Sequence, residues 1–318
     1  MTETAAETLE ALNQAAKHLM DGGLVAFPTE TVYGLGANAE DSQAVAKIYK
    51  AKQRPADHPL IVHIAHVSDV EFFASEIPQY ALSLMRDFWP GPMTLILPRT
   101  NKAADFITGG QQSVGLRIPN HPVGLALLLA FRKAGGRGLA APSANRYGSV
   151  SPTSARAVEI ELGEYLAAED MILDGGSSEV GIESTIIDCT SAAPKILRPG
   201  AITASMIESC TQMVVAEPGA DRIRTSGSHA AHYSPRAAVL IGATPKPGEG
   251  LIAPSHIATP DNVSRLAAPA TNEEYAAVLY SALRSADENN ISTVHIVPPE
   301  GDDIAVAIRD RIQRAAAG

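Results

Sequence analysis

The chain has 318 residues, of which 45% are hydrophobic and 19% are charged, so it is long enough for two domains and apolar enough to bury a core. Lysine and arginine total 25 against 35 aspartates and glutamates, and the resulting net charge of −10 argues against a general nucleic-acid binder. The two cysteines, Cys189 and Cys210, exclude a disulfide framework and a structural zinc site and indicate a reducing compartment.

The N-terminal stretch predicts an amphipathic helix, because apolar residues recur at helical spacing from Leu9 to Leu19 before Gly22. This stretch is acidic and unlike a signal peptide. No later apolar run reaches the roughly 18 residues of a membrane-spanning helix. We therefore expect a cytoplasmic protein that makes no contact with a membrane.

Predicted strands and helices follow one another through the first two-thirds of the chain. A buried strand at 24–27 precedes a helix that begins at Ser42, the expected N-cap, and ends before Pro55. Further apolar runs of strand length lie at 60–64, 93–97, 114–118, 138–141, 171–173 and 185–188. Helical patterns lie at about 79–88, 122–134 and 153–162. This mixture predicts an α/β layer architecture over one sheet.

The composition changes after about residue 210, where Gly, Ser, Ala and Pro replace the apolar periodicity. We interpret 211–236 as a linker that either lacks fixed structure or forms a functional lid. It separates a large domain at 1–210 from a small βα domain at 237–318. The predicted elements of the small domain are strands at 238–241, 251–253 and 294–297, a helix with a capping box from Thr271, and a final helix at 304–317.

The short signatures of common enzyme classes are absent, which leaves a P-loop, a zinc protease and a serine hydrolase without support. Unusual polar residues instead lie next to predicted strand ends. The first group is the segment 27–36, FPTETVYGLG, in which threonines flank Glu30 and two glycines allow close backbone approach. The segment is either a site or a turn with an internally satisfied Thr–Glu network.

The second group contains cations at the end of a helix, Lys47, Lys50, Lys52 and Arg54. They could form a solvated face that matches the helix dipole. However, Lys52 and Arg54 precede a proline on extended backbone beside a core strand, an arrangement that suits a phosphate site. His63, inside the next strand, is by itself more typical of a packed core residue.

The third group lies on one predicted strand, where Ser113, Gly115 and Arg117 share a face. An arginine between apolar residues needs an anionic partner. That partner is either a carboxylate of the chain itself or the carboxylate of a substrate.

Hydroxyl-rich segments lie at two further strand ends. Residues 140–145, AAPSAN, are small enough for close approach of a ligand, and Ser151 follows them. For Thr153 or Ser154 we favour a role as cap of the next helix. The segment 183–188 offers a hydroxyl at a strand start, and Arg198 precedes a Pro-Gly turn.

In this order, the motifs PTETVYGLGA, KxRP, PLIVH, WPGPMT, SVGLRIP, APSAN, ESTIID and LRPG resemble the Sua5/YrdC/YciO family, in its two-domain Sua5-type form. The resemblance covers about residues 10–205 and extends to His232-Tyr233-Ser234-Pro235, which is similar to an HYAP-type segment of the family. It implies a twisted mixed sheet of the YrdC type with flanking helices, followed by a smaller Rossmann-like domain.

The resemblance also implies an activity, namely synthesis of threonylcarbamoyl-AMP and pyrophosphate from L-threonine, bicarbonate and ATP with Mg²⁺. The product would pass to a tRNA threonylcarbamoyltransferase for the t6A modification, with at most weak tRNA binding by this chain. Alternatives are a protein that binds RNA in a basic groove, and a carbamoyl transferase like hydrogenase-maturation relatives of the fold. The acidic net charge opposes the first, and the low cysteine count opposes the zinc module of the second.

Motif by motif, the resemblance assigns two sets of contact residues, and it leaves the ligands of Mg²⁺ open. The expected L-threonine site contains Thr31, His63, Arg117, Ala141 through its backbone, and Ser184. The expected ATP site contains Lys52, Arg54, His58, Ser113, Ser143, Ser151, Arg198 and Tyr233, of which Lys52 and Arg54 are expected to act in catalysis on the leaving pyrophosphate. His58 departs from the family, which usually has Asn there, and the small domain is short for the type.

Overall fold

The computed structural model describes residues 3–216, 223–225 and 233–318, which form two sheets covered by helices. The strands are β1 (Val25–Phe27), β2 (Gly34–Asn38), β3 (Ile61–His63), β4 (Met93–Pro98), β5 (Ser113–Arg117), β6 (Leu139–Ala140), β7 (Met171–Ile172), β8 (Thr185–Asp188), β9 (Lys195–Arg198), β10 (Ala238–Ile241), β11 (Gly250–Ile252), β12 (Ser264–Ala267) and β13 (Thr293–Ile296). The α-helices are α1 (Glu3–Met20), α2 (Ser42–Lys52), α3 (Val70–Phe73), α4 (Gln79–Phe88), α5 (Asp105–Thr108), α6 (Pro122–Lys133), α7 (Ala155–Leu162), α8 (Ala204–Thr211), α9 (Asn272–Glu288) and α10 (Ala305–Ala316).

The first sheet has nine strands in the order β7-β1-β2-β6-β3-β5-β4-β8-β9. It is mixed, because β1–β7, β3–β5 and β4–β8 are parallel pairs and the remaining neighbours are antiparallel. The second sheet, β10-β13-β11-β12, is parallel throughout. The predicted fold class, a mixed α/β sheet with a smaller Rossmann-like domain, is confirmed.

Helices cover both faces of the large sheet because successive strand residues point to opposite sides. Val25 and Phe27 of β1 pack with α1 and α6 on one face, around Leu19 and Phe131. Ala26, the residue between them, belongs to the core on the other face, which α2, α4, α7 and α8 cover. Among the described residues, no helix combines the length and the apolar character needed to cross a membrane.

The predicted elements are present, with two kinds of correction. Asp41, and not Ser42, is the N-cap of α2, because its carboxylate accepts the amide hydrogens of Gln43 and Ala44. The helix ends at Lys52, where Gln53 takes a left-handed conformation with φ of 52°. Strands β2, β9 and β12 were not expected, since their short or glycine-containing sequences lack a clear alternation of apolar residues. The short helices α3, α5 and α8 were not expected either.

The large and small sheets share a hydrophobic cluster. Val32, Val150 and Ile182 of the large domain pack in it with Tyr280 of α9 and Ile308 of α10. The last strand of the first sheet is β9, which α8 follows, and the second sheet begins with β10. The boundaries 1–210 and 237–318 stay a prediction. Much of the linker predicted at 211–236, including His232, lies outside the described residues.

Gly124 allows the first turn of α6 to approach the end of β1, and this contact yields a prediction. A Cβ at Gly124 would lie 2.3 Å from the carbonyl oxygen of Pro28, the first residue of the PTET motif. We expect Gly124→Ala to lower the free energy of unfolding by about 1–3 kcal/mol because the backbone must move. Gly163→Ala is the control, since that Cβ would be 3.8 Å from its nearest neighbour. The free energies of unfolding are measured with urea. Equal values for the parent and both variants would contradict the close contact at Gly124.

Candidate functional site

One cavity lies where the loops after β1 and β6 meet β3, the end of β5 and the segment before β8. It has a volume of about 550 Å³, including its open mouth. Arginines, hydroxyl groups and backbone of small residues form most of its wall. The residues that line it are Thr29, Thr31, Val32, Tyr33, Gly34, Arg54, Ile61, His63, Arg117, Ala141, Pro142, Ser143, Glu183, Ser184, Arg198 and Tyr233.

All five residues expected at the amino-acid site line this cavity, namely Thr31, His63, Arg117, Ala141 and Ser184. The sheet brings them together. Strands β3 and β5 are parallel neighbours with His63 opposite Arg117, so the two side chains lie side by side. Strand β6, which leads into Ala141, pairs with the other edge of β3.

The residues expected at the ATP site divide into two groups. Arg54, Ser143, Arg198 and Tyr233 line the same cavity as the amino-acid group. The other four are not part of its wall, and they are Lys52, His58, Ser113 and Ser151.

Lys52 is buried behind the cavity wall. Its ammonium donates to the carbonyl oxygen of Ser143 at 2.6 Å and also to that of Asn145. Burial, and then the nearby charge of Arg54, hold the pKa of Lys52 well below its usual range. In this geometry Lys52 fixes the loop that carries Ser143, and its expected direct contact with the leaving pyrophosphate stays a prediction.

Ser113 lines a second cavity, which shares Ile61 with the first, together with the linker residues Ile223, Arg224 and Thr225. The guanidinium of Arg224 donates to the carbonyl oxygen of Gly109 at 2.7 Å. A described piece of the linker is therefore attached to the large domain beside an expected ATP contact.

His58, the residue that departs from the family pattern, packs against an aromatic ring. Its imidazole lies edge-on to Tyr147, with ring centroids 5.4 Å apart. Arg54 approaches the same Tyr147 ring at 5.9 Å. The imidazole thus lies one ring away from the arginine in the cavity wall, and its contact with ATP stays a prediction.

Arg117 has a partner within the chain. Its guanidinium forms an ion pair with Glu30 at 2.7 Å, and both side chains are about 5% exposed. Glu30 also accepts the amide hydrogen of Asn120 at 3.0 Å. The predicted partner within the chain is therefore present, and Arg117 also lines the cavity. Sequence analysis missed this role of Glu30, although the carboxylate stands in the PTET motif.

His63 is a buried, neutral imidazole. Burial, and then the positive charge of Arg117, lower its pKa to about 3. Its ring stands edge-on to Phe27 at 5.8 Å, and its Nδ1 atom has no hydrogen-bond partner among the described residues. A buried polar atom of this kind is suited to a hydrogen bond with a ligand.

The guanidinium of Arg198 binds the backbone directly before β8. Arg198 donates through Nε and Nη2 to the carbonyl oxygen of Ser184, at 3.1 and 2.9 Å. The Ser184 hydroxyl lies 2.8 Å from that of Thr94 on β4. These bonds fix the orientation of Ser184, which lines the cavity.

Glu183 is a cavity residue that sequence analysis did not assign. It accepts a hydrogen bond from Ser151 at 2.6 Å, so Ser151 reaches the wall through this carboxylate. Its other oxygen accepts from Tyr280 at 2.8 Å and from Arg311 at 2.9 Å, both in the small domain. Burial acts to raise the pKa of Glu183, but the charges of Arg311 and Arg198 lower it to about 2. The one sequence signal for a role of Glu183 was its place as first residue of the ESTIID motif, directly before Ser184.

The wall as a whole is cationic. Arg54, Arg117 and Arg198 contribute three guanidinium groups, while both carboxylates of the region, Glu30 and Glu183, are engaged in ion pairs with arginines. Arginine forks bind carboxylates and phosphates in a bidentate manner. The cavity is therefore suited to a ligand, or a pair of ligands, with several negative charges.

Two family models match the chain. The model Sua5_yciO_yrdC, described as telomere recombination, matches residues 17–200. The model Sua5_C, described as the C-terminal domain of threonylcarbamoyl-AMP synthase, matches residues 202–317. Together they include both sheets and the site.

Individual proteins are similar over nearly the whole chain. The threonylcarbamoyl-AMP synthase of Bacillus subtilis is 38% identical over 96% of this chain and 92% of its own length. That of Pyrococcus abyssi is 38% identical over 95% of this chain and 93% of its own length. The crystal structure of P. abyssi Sua5 complexed with L-threonine superposes with a TM-score of 0.87 at 36% identity, covering 97% of this chain and 94% of that one.

The buried imidazole predicts a pH dependence of stability. Unfolded chains protonate histidine near pH 6.5, whereas the folded protein resists protonation of His63 until about pH 3. Between pH 6.5 and 5 the free energy of unfolding should therefore fall as pH falls, by up to about 1.4 kcal/mol per pH unit from this group. When the free energy of unfolding is measured with denaturant at several pH values, it should depend less steeply on pH in His63→Gln than in the parent. His256→Gln, which changes an exposed histidine, should keep the parental slope, and equal slopes in all three proteins would contradict the assignment.

Proposed function

The chain belongs to the Sua5/YrdC/YciO family, and from this premise we propose that it is a threonylcarbamoyl-AMP synthase. This enzyme of the nucleotidyltransferase type condenses L-threonine, bicarbonate and ATP, and releases pyrophosphate. The observation that carries the proposal is the convergence of nine expected contact residues, five for threonine and four for ATP, on one cationic cavity.

Threonine would bind at the Arg117 end of the cavity. Arg117 presents more donors than its pairing with Glu30 requires, so its fork can hold the substrate carboxylate while Glu30 keeps it in place. The neutral His63 can accept a hydrogen bond from the substrate amine or hydroxyl, and its lack of charge avoids repulsion of a cationic amine. The Ser184 hydroxyl and the backbone of Ala141 complete this subsite.

The reaction would proceed without a covalent enzyme intermediate. After losing a proton, the threonine amine attacks bicarbonate with release of water, or CO2 with release of a further proton, and a carbamate forms. A carbamate oxygen then attacks the α-phosphorus in line as the bond from that phosphorus to pyrophosphate breaks. Catalysis of this kind rests on positioning and on stabilisation of charge. Arg54 and Arg198 would bind the phosphates, and Lys52 would support them by fixing the loop of Ser143 in addition to its expected effect on the leaving group.

Mg²⁺ would enter with ATP. Among residues 3–216, 223–225 and 233–318, no cluster of three His, Cys, Asp or Glu side chains is arranged to hold a metal. Both oxygens of Glu183 already accept hydrogen bonds. Mg²⁺ commonly keeps several waters and binds mainly through substrate phosphates, and the cavity fits that mode. When bound, the ion would neutralise negative charge on the phosphates.

The linker would act as a lid. Tyr233 lines the cavity, and Arg224 lies within 3.2 Å of Asp57 near the second cavity. A mixed anhydride such as threonylcarbamoyl-AMP is sensitive to water, so covering the site protects the product.

The product would then pass to a tRNA threonylcarbamoyltransferase in the cytoplasm. Both cysteines are free thiols, which fits that reducing compartment.

The activity is tested by pyrophosphate release. With ATP, bicarbonate and Mg²⁺, release should require L-threonine, and L-serine should be a much poorer substrate. Adding excess chelator should abolish release. Release at the same rate without threonine would refute the proposed reaction.

The phosphate role of Arg54 is tested by substitution. Removing a charged donor aimed at developing negative charge typically costs about 10²–10³-fold in rate. We therefore expect Arg54→Gln to lower kcat/KM for ATP by about 10²-fold. Arg86→Gln is the matched control, because Arg86 is 71% exposed and pairs only with its neighbour Asp87 among the described residues. A loss of less than twofold in Arg54→Gln would contradict the assignment.

A further inference from the structure

The small domain places two buried side chains behind the wall of the cavity, where they contact the wall residue Glu183. Tyr280 of α9 and Arg311 of α10 both bond the same carboxylate oxygen of Glu183, at 2.8 and 2.9 Å. Arg311 is 0% exposed, and it also donates to the carbonyl oxygen of Pro199 at 3.0 Å. Two helices of the small domain thus contact a single residue of the large domain, Glu183, which lines the cavity.

The same two side chains contact Tyr233. The rings of Tyr280 and Tyr233 are stacked, with centroids 5.6 Å apart and planes at 27°. The guanidinium of Arg311 lies 5.3 Å from the centroid of the Tyr233 ring. Tyr233 has a φ of 63°, a left-handed conformation that a residue other than glycine adopts only when its surroundings hold it there.

The backbone before Glu183 is shaped to receive α9. Gly181 has a φ of 77°, and a Cβ there would lie 2.5 Å from the carbonyl oxygen of Ala276. Arg284, one turn beyond Tyr280, pairs with Glu161 at 2.9 Å and donates to the carbonyl oxygen of Val150, next to Ser151. The small domain is therefore seated directly behind the cavity.

We propose that Tyr280 and Arg311 are positioning residues for the nucleotide, which act through Glu183 on Ser151 and through ring contacts on Tyr233. The inference rests on the proposed function, because Ser151 and Tyr233 are expected ATP contacts. Arg311 keeps Glu183 charged, and Tyr280 occupies the oxygen that Ser151 does not use. As a result, the Ser151 hydroxyl and the Tyr233 ring stay in one orientation before ATP binds, and the small domain is part of the ATP site.

Tyr280→Phe is the decisive variant, since it removes one hydroxyl and keeps the stacked ring. Its matched control is Tyr275→Phe, which removes the hydroxyl of another buried tyrosine of α9, one that donates to the carbonyl oxygen of Val297 within the small domain at 3.0 Å. Binding of ATP would be measured by calorimetry, and KM for ATP and for threonine by pyrophosphate release. Melting temperatures of both variants report any general loss of stability.

We expect Tyr280→Phe to raise the Kd and KM for ATP at least fivefold and to change KM for threonine less than twofold. Tyr275→Phe should change all three less than twofold while lowering the melting temperature by a similar amount. Equal effects of the two variants on ATP, or no effect of Tyr280→Phe, would overturn the inference. The parental enzyme in the same assay tests the proposed function separately, because its threonine-dependent release does not depend on this outcome.

The route through Glu183 is tested by a double substitution. If Tyr280 acts through this carboxylate, Tyr280→Phe should add less than twofold to the ATP defect of Glu183→Gln. Multiplicative effects of the two changes would show that Tyr280 acts independently of Glu183 and would overturn that route. Should Glu183→Gln fail to fold, the comparison of Tyr280→Phe with Tyr275→Phe still decides the main inference.

Discussion

A charge that leaves water must find a partner, and this constraint organises the cavity of the protein. Glu183 forms an ion pair with Arg311, and Arg117 forms one with Glu30. The ammonium of Lys52 donates to backbone carbonyls. Each pairing fixes a polar group in place. Arg117 and Glu183 line the cavity, and Lys52 lies behind its wall. The wall is therefore rigid before a substrate arrives, and its excess of guanidinium groups over carboxylates favours anionic ligands.

The pairings also explain why two domains form one site. Glu183 belongs to the large domain by sequence, but two of its three hydrogen-bond donors come from α9 and α10. Its pKa of about 2 depends on Arg311 and Arg198 overcoming the effect of burial. Separating the domains would remove Tyr280 and Arg311 from the carboxylate, and its orientation would no longer be fixed from that side. Catalysis by positioning requires that kind of fixed wall, because no covalent step compensates for a misplaced ligand.

Much of the fold could be predicted from the sequence, because hydrophobic periodicity is a local property. The strands at 185–188 and 238–241 and the helix at 79–88 were placed to the residue. The pattern failed at β2, where glycines replace the alternating side chains, and at the N-cap of α2, where two adjacent polar residues, Asp41 and Ser42, competed for the same role.

The sequence by itself determined the order of the elements, the family resemblance and nine of the residues that line the cavity. Only the tertiary structure decided where the other charges go. Glu183 and Arg311 are separated by 128 positions, and nothing in the motif around either residue names the other. Lys52 stands in a motif typical of phosphate sites, yet its ammonium turns to the carbonyl of Ser143, 91 positions away. Partners of buried charges are set by packing between distant elements, and local patterns carry no record of that packing.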